Sequence, residues 1–444
     1  NARQRRGCLD FPSLKRRFWL MLTPVNALSQ LGQRTSEPPI SWLMKEALQR
    51  PGLISLAAGF TDNPSLPVQE TRAIVEGLLR GAQGQPPLQY GTTAGDGHLR
   101  QLTSARLAHL DDRPTQAAAY APEHLLITHG SQQLLYILSE ILFDPGDLVL
   151  VEDPSYFVYL GIMQSHDIHG RGIRMEADGI DLAHLEATLN QLEQAGELPR
   201  LKALYLVSYH SNPAGITTNA AKKAAALKLL RRYEKVAGHP IYLIEDAAYR
   251  ELRFAGEDTP SALSMDRRAD RVVYTSTFSK PFATGVRVGF GLLPEPLLTA
   301  ALRVKGNHDF GTANFLQQIL TQALANGSYE TQVAKLRRRY ARKAMAMTQA
   351  CAAHFPDAVQ WANPTGGLYV WARLPAKVRS GLKSALFEAA LRHKVLYVPG
   401  SLCYCDDTTR RKPNRELRLS YGNASLQEIE EGIARLGRAL KKVL

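Results

Sequence analysis

The chain has 444 residues, of which 45% are hydrophobic and 21% are charged, and its formal net charge is +13. This composition is typical of globular proteins and excludes a disordered, collagen-like or coiled-coil chain. No apolar run approaches the roughly 18 residues of a membrane helix, which argues against a membrane-spanning protein. At about 150 residues per domain, the length predicts two or three structural units.

The N-terminal segment 1–20 is rich in arginine and contains a single acidic residue. Such a segment is typical of a transit peptide or a membrane-surface helix, and the alternative is translated upstream sequence with Met21 as the native start. We favour the alternative, because folding signals begin only after Met21, and we predict a disordered basic extension over 1–20. The chain has four cysteines and lacks a secretory pattern, which together predict a cytoplasmic location.

Elsewhere the positive charge is spread thinly, apart from a basic knot at 410–415, and aromatic residues do not interleave with it. We therefore expect no nucleic-acid partner. The pair Cys403-x-Cys405 and the pair His166-x-x-His169 lack convincing further ligands. We interpret them as ordinary thiols and loop residues rather than as metal sites.

The predicted elements begin with a short helix over 41–50, which Pro51-Gly52 ends. Strand and helix signals then alternate, with helices from Ser131 to about residue 143, from Ser155, and over 219–236. Because the strands are continuously apolar, they are predicted to be buried on both faces of a mainly parallel α/β sheet. The predicted strands are 125–128, 148–151, 204–207, 241–244, 272–274 and 289–292.

The pattern changes in the last third of the chain. Residues 295–350 are predicted to be largely helical, and two strands, at 368–371 and 417–420, are accompanied by helices near 381–393 and 425–442. This predicts a smaller α+β unit packed on the large one. The predicted division is the extension 1–20, an arm and helix 21–60, a large ligand-binding domain 61–320, and a small C-terminal domain 321–444.

The segment 277–287 carries the most specific chemistry, because Lys280 lies between the hydroxyls of Thr277 and Ser279 and is followed by Arg287. It connects two buried strands and therefore lies at a strand end, where α/β proteins bind ligands. A lysine amine can form a Schiff base with an aldehyde, while hydroxyls and a guanidinium hold a phosphate. The pattern suits a phosphorylated aldehyde, and the alternative is a surface lysine with a structural arginine.

Three further strand ends carry candidate residues. Ser131, after Gly130, opens a helix whose free N–H groups favour an anion, or it is a plain helix cap. Asp246 ends a buried strand and therefore needs a cationic partner. This partner could be a protonated pyridine nitrogen of a ligand, or a basic side chain in a structural ion pair. Tyr249, three residues further on, could donate a hydrogen bond to an oxygen carried by the same pyridine ring. Asn212 lies in an Asn-Pro turn, and Tyr156 could stack on a flat ring or simply pack.

Together these segments resemble the fold-type I, class I and II aminotransferases that use pyridoxal 5′-phosphate, from about residue 25 onward. The segments 49–55, 366–371 and 418–420 resemble the branch of 2-aminoadipate and kynurenine aminotransferases in particular. The resemblance implies a large domain with a mainly parallel, seven-stranded mixed sheet and a smaller α+β domain. It also implies pyridoxal 5′-phosphate as cofactor and a homodimer with shared active sites.

The resemblance also implies roles for individual residues. Lys280 matches the lysine that binds the cofactor and moves the substrate proton, and Asp246, Tyr249 and Asn212 match the groups facing its ring. Arg418 matches the arginine that binds the substrate carboxylate, Gly59 the glycine beside the substrate, and Tyr90 a tyrosine lent by the other subunit. The stacking ring and the phosphate site are implied at Tyr156, Ser131, Gln132, Thr277, Ser279 and Arg287.

Two features qualify this interpretation. The turn at 212–215 reads Asn-Pro-Ala-Gly, where Asn-Pro-Thr-Gly is usual in the family. The loop at 283–287 reads Ala-Thr-Gly-Val-Arg, where Ala-Pro-Gly-Leu-Arg is usual, and neither change touches a catalytic role. Trp42 stands where relatives that accept dicarboxylates tend to carry an arginine. A distal carboxylate would there lack its charge partner, so we expect aromatic or apolar amino donors, unless Trp42 only packs.

The predicted function is the transfer of an α-amino group to a 2-oxo acid, such as 2-oxoglutarate, by a ping-pong mechanism. One alternative is a lyase or decarboxylase that uses the same cofactor, because the fold does not fix the reaction. The other alternative is the aminotransferase-like effector domain of a transcription regulator.

Overall fold

The computed structural model describes residues 27–444, so the predicted extension 1–20, Cys8 and the proposed start at Met21 lie outside the described residues. The described strands are, in chain order, β1 (Ile54–Ser55), β2 (Leu125–Thr128), β3 (Leu148–Asp153), β4 (His169–Glu176), β5 (Gly179–Ile180), β6 (Leu201–Val207), β7 (Tyr242–Asp246), β8 (Val272–Thr277), β9 (Gly289–Leu292), β10 (Gln360–Trp361), β11 (Tyr369–Arg373), β12 (Val395–Leu396), β13 (Val398–Pro399) and β14 (Glu416–Ser420).

The large sheet contains eight of these strands in the order β2-β9-β8-β7-β6-β3-β4-β5. The five strands from β8 to β4 run parallel, whereas β9 runs antiparallel to both of its neighbours. The predicted mainly parallel sheet is therefore confirmed. It has eight strands rather than seven, because the two-residue β5 pairs with β4 and extends the edge.

The apolar strands bury both faces of this sheet, as their composition predicts. In β3, Leu148 and Leu150 pack into the core on one face, and Val149 and Val151 pack into the core on the other. All four side chains are fully buried. Successive residues of a strand point to opposite faces, so a strand covered on both sides needs a continuous apolar run.

Helices cover the two faces of the sheet and continue into the C-terminal unit. The described helices are α1 (Gln30–Arg34), α2 (Pro39–Gln49), α3 (Val68–Leu78), α4 (Gly97–Leu110), α5 (Gly130–Leu142), α6 (Phe157–His166), α7 (Leu182–Gln194), α8 (Ala220–Ala237), α9 (Leu297–His308), α10 (Asn314–Ala325), α11 (Ser328–His354), α12 (Ala385–Arg392) and α13 (Leu426–Lys441).

The smaller unit is an antiparallel sheet of four strands in the order β10-β11-β14-β13. Helices α11, α12 and α13 share a hydrophobic core with this sheet. The predicted smaller α+β unit is thus confirmed, while the domain boundaries at residues 60 and 320 stay predictions. The two-residue β1 pairs with β12 and attaches the N-terminal arm to this unit.

Two interpretations of small motifs can be compared with the structure. His166 ends α6, but His169 begins the eight-residue strand β4, so the expected loop is wrong there. Cys403 and Cys405 are buried free thiols, and burial raises the pKa of each to about 12. Within residues 27–444, no group of three or more metal-ligating side chains could hold an ion.

No helix of the described residues has both the length and the apolar character needed to cross a membrane. Strands β2, β3, β6, β7 and β8 all run in the same direction. Their carboxyl ends therefore meet at one edge of the sheet, and the loops that leave this edge carry the residues described next.

Candidate active site

A cavity of about 190 Å³ opens at the carboxyl edge of the large sheet. All ten residues predicted to bind the cofactor line it, although they come from five separate strand ends. They are Ser131, Gln132, Tyr156, Asn212, Asp246, Tyr249, Thr277, Ser279, Lys280 and Arg287.

The lysine in this cavity has an unusual environment for an ammonium group. Lys280 Nζ donates a hydrogen bond to the carbonyl oxygen of Gly59 at 2.9 Å, and no carboxylate of the described residues forms an ion pair with it. Burial, together with the nearby cations Arg418 and Arg287, lowers the pKa of Lys280 to about 8. A substantial neutral fraction therefore exists near neutral pH, as a nucleophile or proton acceptor requires.

One end of the cavity is built to hold an anion. Helix α5 begins at Gly130 and points its free N–H groups at this end. A Cβ atom on Gly289 would lie 2.4 Å from the Ser131 nitrogen, so these two segments can approach only because glycine has no side chain. Thr277 Oγ1 donates to Ser279 Oγ at 3.0 Å, and Arg287 Nη1 lies 3.4 Å from the same oxygen.

Asp246 also lines the cavity and is only 3% exposed. Its carboxylate accepts hydrogen bonds from the Tyr205 hydroxyl at 2.9 Å and from the Ala248 nitrogen at 3.1 Å. Burial raises the pKa of Asp246 to about 6, against its ordinary value of 3.8. A cationic N–H placed beside it would reverse this shift, so the site favours a protonated ring nitrogen.

Two tyrosine hydroxyls meet on one side of the cavity. The Tyr249 and Tyr369 oxygens lie 3.0 Å apart, and both side chains are buried. Burial raises the pKa of Tyr249 well above its ordinary value, so it stays a neutral phenol. Tyr369 was predicted only as part of a strand, because its partner is 120 positions away and no motif joins them.

Arg418 is among the largest fully buried side chains of the described residues and is 1% exposed. Nη1 donates to Asn212 Oδ1 at 2.6 Å, Nη2 donates to the Ala57 carbonyl at 2.6 Å, and Nε is buried without a partner. A buried guanidinium without a carboxylate is costly, which favours an anionic ligand here. Arg418 thus connects the small sheet, the Asn212 turn and the N-terminal arm.

The structure does not bring every predicted residue to this cavity. Gly59 reaches it through its carbonyl oxygen, but the Trp42 ring packs against Phe387 with ring centroids 6.0 Å apart. Tyr90 is 82% exposed and contacts Phe310, away from the cavity of its own chain. The contact of Trp42 with Phe387 agrees with the alternative interpretation, in which Trp42 only packs.

The lining residues fit pyridoxal 5′-phosphate in both geometry and charge. Lys280 supplies a neutral amine for the aldehyde, the glycine-lined anion end suits a phosphate, and the desolvated Asp246 suits the pyridine nitrogen. These three features lie in one cavity, which defines the class of the protein as an enzyme that uses this cofactor.

Residues 51–436 match the family model described as aminotransferase class I and II. The chain therefore belongs to this aminotransferase family, and its cofactor is pyridoxal 5′-phosphate.

Characterised relatives differ in their amino donors. The chain is 33% identical to the 2-aminoadipate transaminase of Thermus thermophilus, over 89% of this chain and 92% of that protein. It is 30% identical to aromatic-amino-acid aminotransferase 1 of Thermococcus litoralis, over 93% of each chain. The kynurenine aminotransferase of Pyrococcus horikoshii, solved with pyridoxamine phosphate, superposes with a TM-score of 0.84 at 28% identity, over 94% of this chain and 97% of that one.

Proposed function

We propose that the enzyme transfers the α-amino group of an aromatic or apolar amino acid to a 2-oxo acid such as 2-oxoglutarate, in two half-reactions that share one site. The observation that carries this proposal is the convergence of ten residues from five strand ends on one cavity around the Lys280 amine. The bound cofactor supplies an electron sink that stabilises negative charge on the substrate α-carbon.

In this proposal each residue has a defined task. Lys280 would hold the cofactor through its Nζ, and the same amine, when free and neutral, would take the proton from the substrate α-carbon. Asp246 holds the pyridine nitrogen protonated, and Tyr249 and Asn212 bind the ring oxygen. Tyr156 stacks on the ring, and the phosphate is held by Ser131, Gln132, Thr277, Ser279 and Arg287.

Arg418 binds the substrate α-carboxylate through two parallel hydrogen bonds. This assignment also favours transamination over the decarboxylase alternative. Loss of carbon dioxide would remove the negative charge that the buried guanidinium needs, whereas loss of the α-proton keeps that charge in place. A lyase on the same site is the second candidate. It would be favoured if no amino acid were converted to the corresponding 2-oxo acid.

The proposed preference for aromatic or apolar donors rests on the charges around the cavity. Lys280 and Arg287 are the only cations that line it among the described residues, Arg418 lies next to it, and all three already have tasks. Beside it, an apolar recess of about 150 Å³ is lined by residues that include Leu43, Ala57 and Phe60. A distal carboxylate in this recess would lack a charge partner, so a dicarboxylic acceptor such as 2-oxoglutarate would have to direct its distal carboxylate away from the recess. The aromatic aminotransferase relative, at 30% identity, supports the same preference, whereas the 2-aminoadipate transaminase relative, at 33% identity, supports a dicarboxylic donor.

We also propose that the active form is a homodimer in which Tyr90 completes the partner's site. Tyr90 and Phe310 expose 82% and 55% of their surface, which is unusual for two adjacent aromatic side chains. Tyr90 borders a concavity of about 1060 Å³ at the surface of this chain. Mixing Lys280→Ala with Tyr90→Phe subunits should restore activity above that of either variant, because a mixed dimer retains one intact site.

The first test is the visible absorbance of the purified protein, before and after single amino acids are added without an acceptor. We expect aromatic donors to convert the cofactor to its amine form and to release the matching 2-oxo acid, while Lys280→Ala shows no such change. Faster conversion by glutamate or 2-aminoadipate would overturn the donor preference. A spectrum that no amino acid changes would favour the lyase or the effector-domain alternative.

A further inference from the structure

Tyr369 is a buried residue that none of the tasks above uses. It begins β11 and pairs with Ser420 of β14, two residues beyond Arg418. Its hydroxyl lies 3.0 Å from that of Tyr249, and the two rings meet edge to face with centroids 5.7 Å apart. Only 2% of Tyr369 is exposed, so water does not compete for this contact.

The surroundings of Tyr369 fix both its position and its polarity. Its hydroxyl oxygen would lie 2.6 Å from a Cβ atom on Gly59, so it sits directly against the backbone beside Lys280. The Arg418 guanidinium lies 4.3 Å from the Tyr369 ring centroid. A cation over a phenol ring draws electron density from it and makes the hydroxyl a better hydrogen-bond donor.

The donor and acceptor roles of the pair follow from counting hydrogens. Each hydroxyl has one hydrogen to donate. If Tyr249 gives its hydrogen to the ring oxygen of the cofactor, its own oxygen can only accept from Tyr369. In such a chain each hydrogen bond polarises the next, and the Tyr249 bond is strengthened by about 10–30%.

We propose that Tyr369 is a positioning residue that donates to Tyr249 and thereby directs the Tyr249 hydrogen at the cofactor's ring oxygen. This inference rests on the proposed function, in which Tyr249 faces that oxygen. Because Arg418 polarises Tyr369, the residue also connects the carboxylate site to the ring. The titratable groups around the pair are Tyr156, Lys280, Tyr340, Arg418 and Tyr421.

The test is a pH titration of the visible absorbance of the loaded enzyme without substrate. A hydrogen bond from Tyr249 withdraws charge from the ring oxygen and loosens the proton on the linked Lys280 nitrogen. Tyr369→Phe weakens that bond, so we expect the midpoint to rise by about 0.3 to 0.5 of a pH unit. Tyr249→Phe should raise it further, and Tyr369→Phe should add nothing in that background.

A matched control is Tyr397→Phe, which removes the hydroxyl of another buried tyrosine of the same unit, bonded to the Ser380 carbonyl at 2.9 Å. Its midpoint should equal that of the wild type. In cofactor-free protein, the losses in melting temperature from Tyr249→Phe and Tyr369→Phe should be less than additive, because one hydrogen bond is lost in both.

The outcomes separate the inference from the proposed function. An unchanged or lowered midpoint in Tyr369→Phe, in an enzyme whose absorbance still titrates and responds to amino acids, would overturn the inference alone. An equal rise in Tyr397→Phe would also overturn it, because the effect would then be structural. A wild-type protein whose absorbance does not depend on Lys280 would overturn both.

Discussion

The contact between Gly59 and Tyr369 explains why a glycine stands next to the Lys280 amine. A Cβ atom on Gly59 would lie 2.6 Å from the Tyr369 hydroxyl oxygen, which is well inside van der Waals contact. The next nearest atom is Tyr369 Cζ at 3.7 Å, an ordinary contact distance. The Gly59 backbone does not adopt a positive φ, so the hydroxyl is the main obstacle to alanine at this position.

Gly59→Ala should therefore destabilise the cofactor-free protein by about 1–3 kcal/mol, the usual cost of overpacking a buried site. In a Tyr369→Phe background the same change should cost less than about 0.5 kcal/mol, since alanine also reduces the entropy of the unfolded chain. The coupling between the two positions should thus be about 1–2 kcal/mol.

The assay is a double-mutant cycle by urea unfolding, monitored on the wild type, both single variants and the double variant. The matched control is Gly161→Ala in α6, where a Cβ atom would meet nothing within 4 Å. This control should be neutral or stabilising by up to about 1 kcal/mol. If Gly59→Ala costs the same with and without the Tyr369 hydroxyl, the steric explanation is refuted.

Three other predictions concern buried charges. Reductive trapping of cofactor on Lys280 should follow a pH midpoint near 8, and Arg418→Gln should raise it because a neighbouring cation is removed. In cofactor-free protein, Asp246→Asn should increase the melting temperature more at pH 7.5 than at pH 5. Burial raises the Asp246 pKa to about 6, so above pH 6 the folded wild type loses the protonated carboxyl that stabilises it. Lys223→Met should lower the free energy of unfolding, measured in urea, by about 3–5 kcal/mol. The change leaves Glu245, which is fully buried and 2.9 Å from the lysine amine, without its charge partner.

Each of these three has an outcome that would contradict it. A trapping midpoint near the ordinary lysine value of 10.5 would mean that burial does not depress the Lys280 pKa. Equal stabilisation by Asp246→Asn at both pH values would mean that the charged form of Asp246 does not destabilise the folded protein. For the lysine pair, the double variant Lys223→Met with Glu245→Met should recover most of the loss, and a larger loss would refute the unpaired-charge explanation.

The sequence was sufficient to predict the large sheet and the residues around its cavity, because both depend on local patterns. Continuous apolar runs marked the buried strands, and several polar residues directly after them were predicted as ligand contacts at strand ends, while the family resemblance supplied the full set. The strand β4 escaped this reasoning, since Gly170 and Gly172 interrupt its apolar pattern. Side chains there would clash, because their Cβ atoms would lie 2.9 Å from Cys405 and 2.7 Å from Asp153.

Contacts between residues far apart in sequence could not be predicted in this way. The hydroxyl pair of Tyr249 and Tyr369 arises because β11 of the small sheet lies over the end of β7. The environment of Trp42 likewise depends on α12, more than 300 positions later, whose Phe387 receives the indole ring. A motif at one position carries no information about such a partner.

The hydrogen bond from Lys280 to the Gly59 carbonyl makes the N-terminal arm sensitive to the chemical state of one amine. When Lys280 is engaged elsewhere, the Gly59 carbonyl loses its 2.9 Å donor. The neighbouring Ala57 carbonyl depends in the same way on Arg418, whose hydrogens an incoming carboxylate would attract. We therefore expect the amide exchange rates of the arm to report, from outside the cavity, whether the lysine is free.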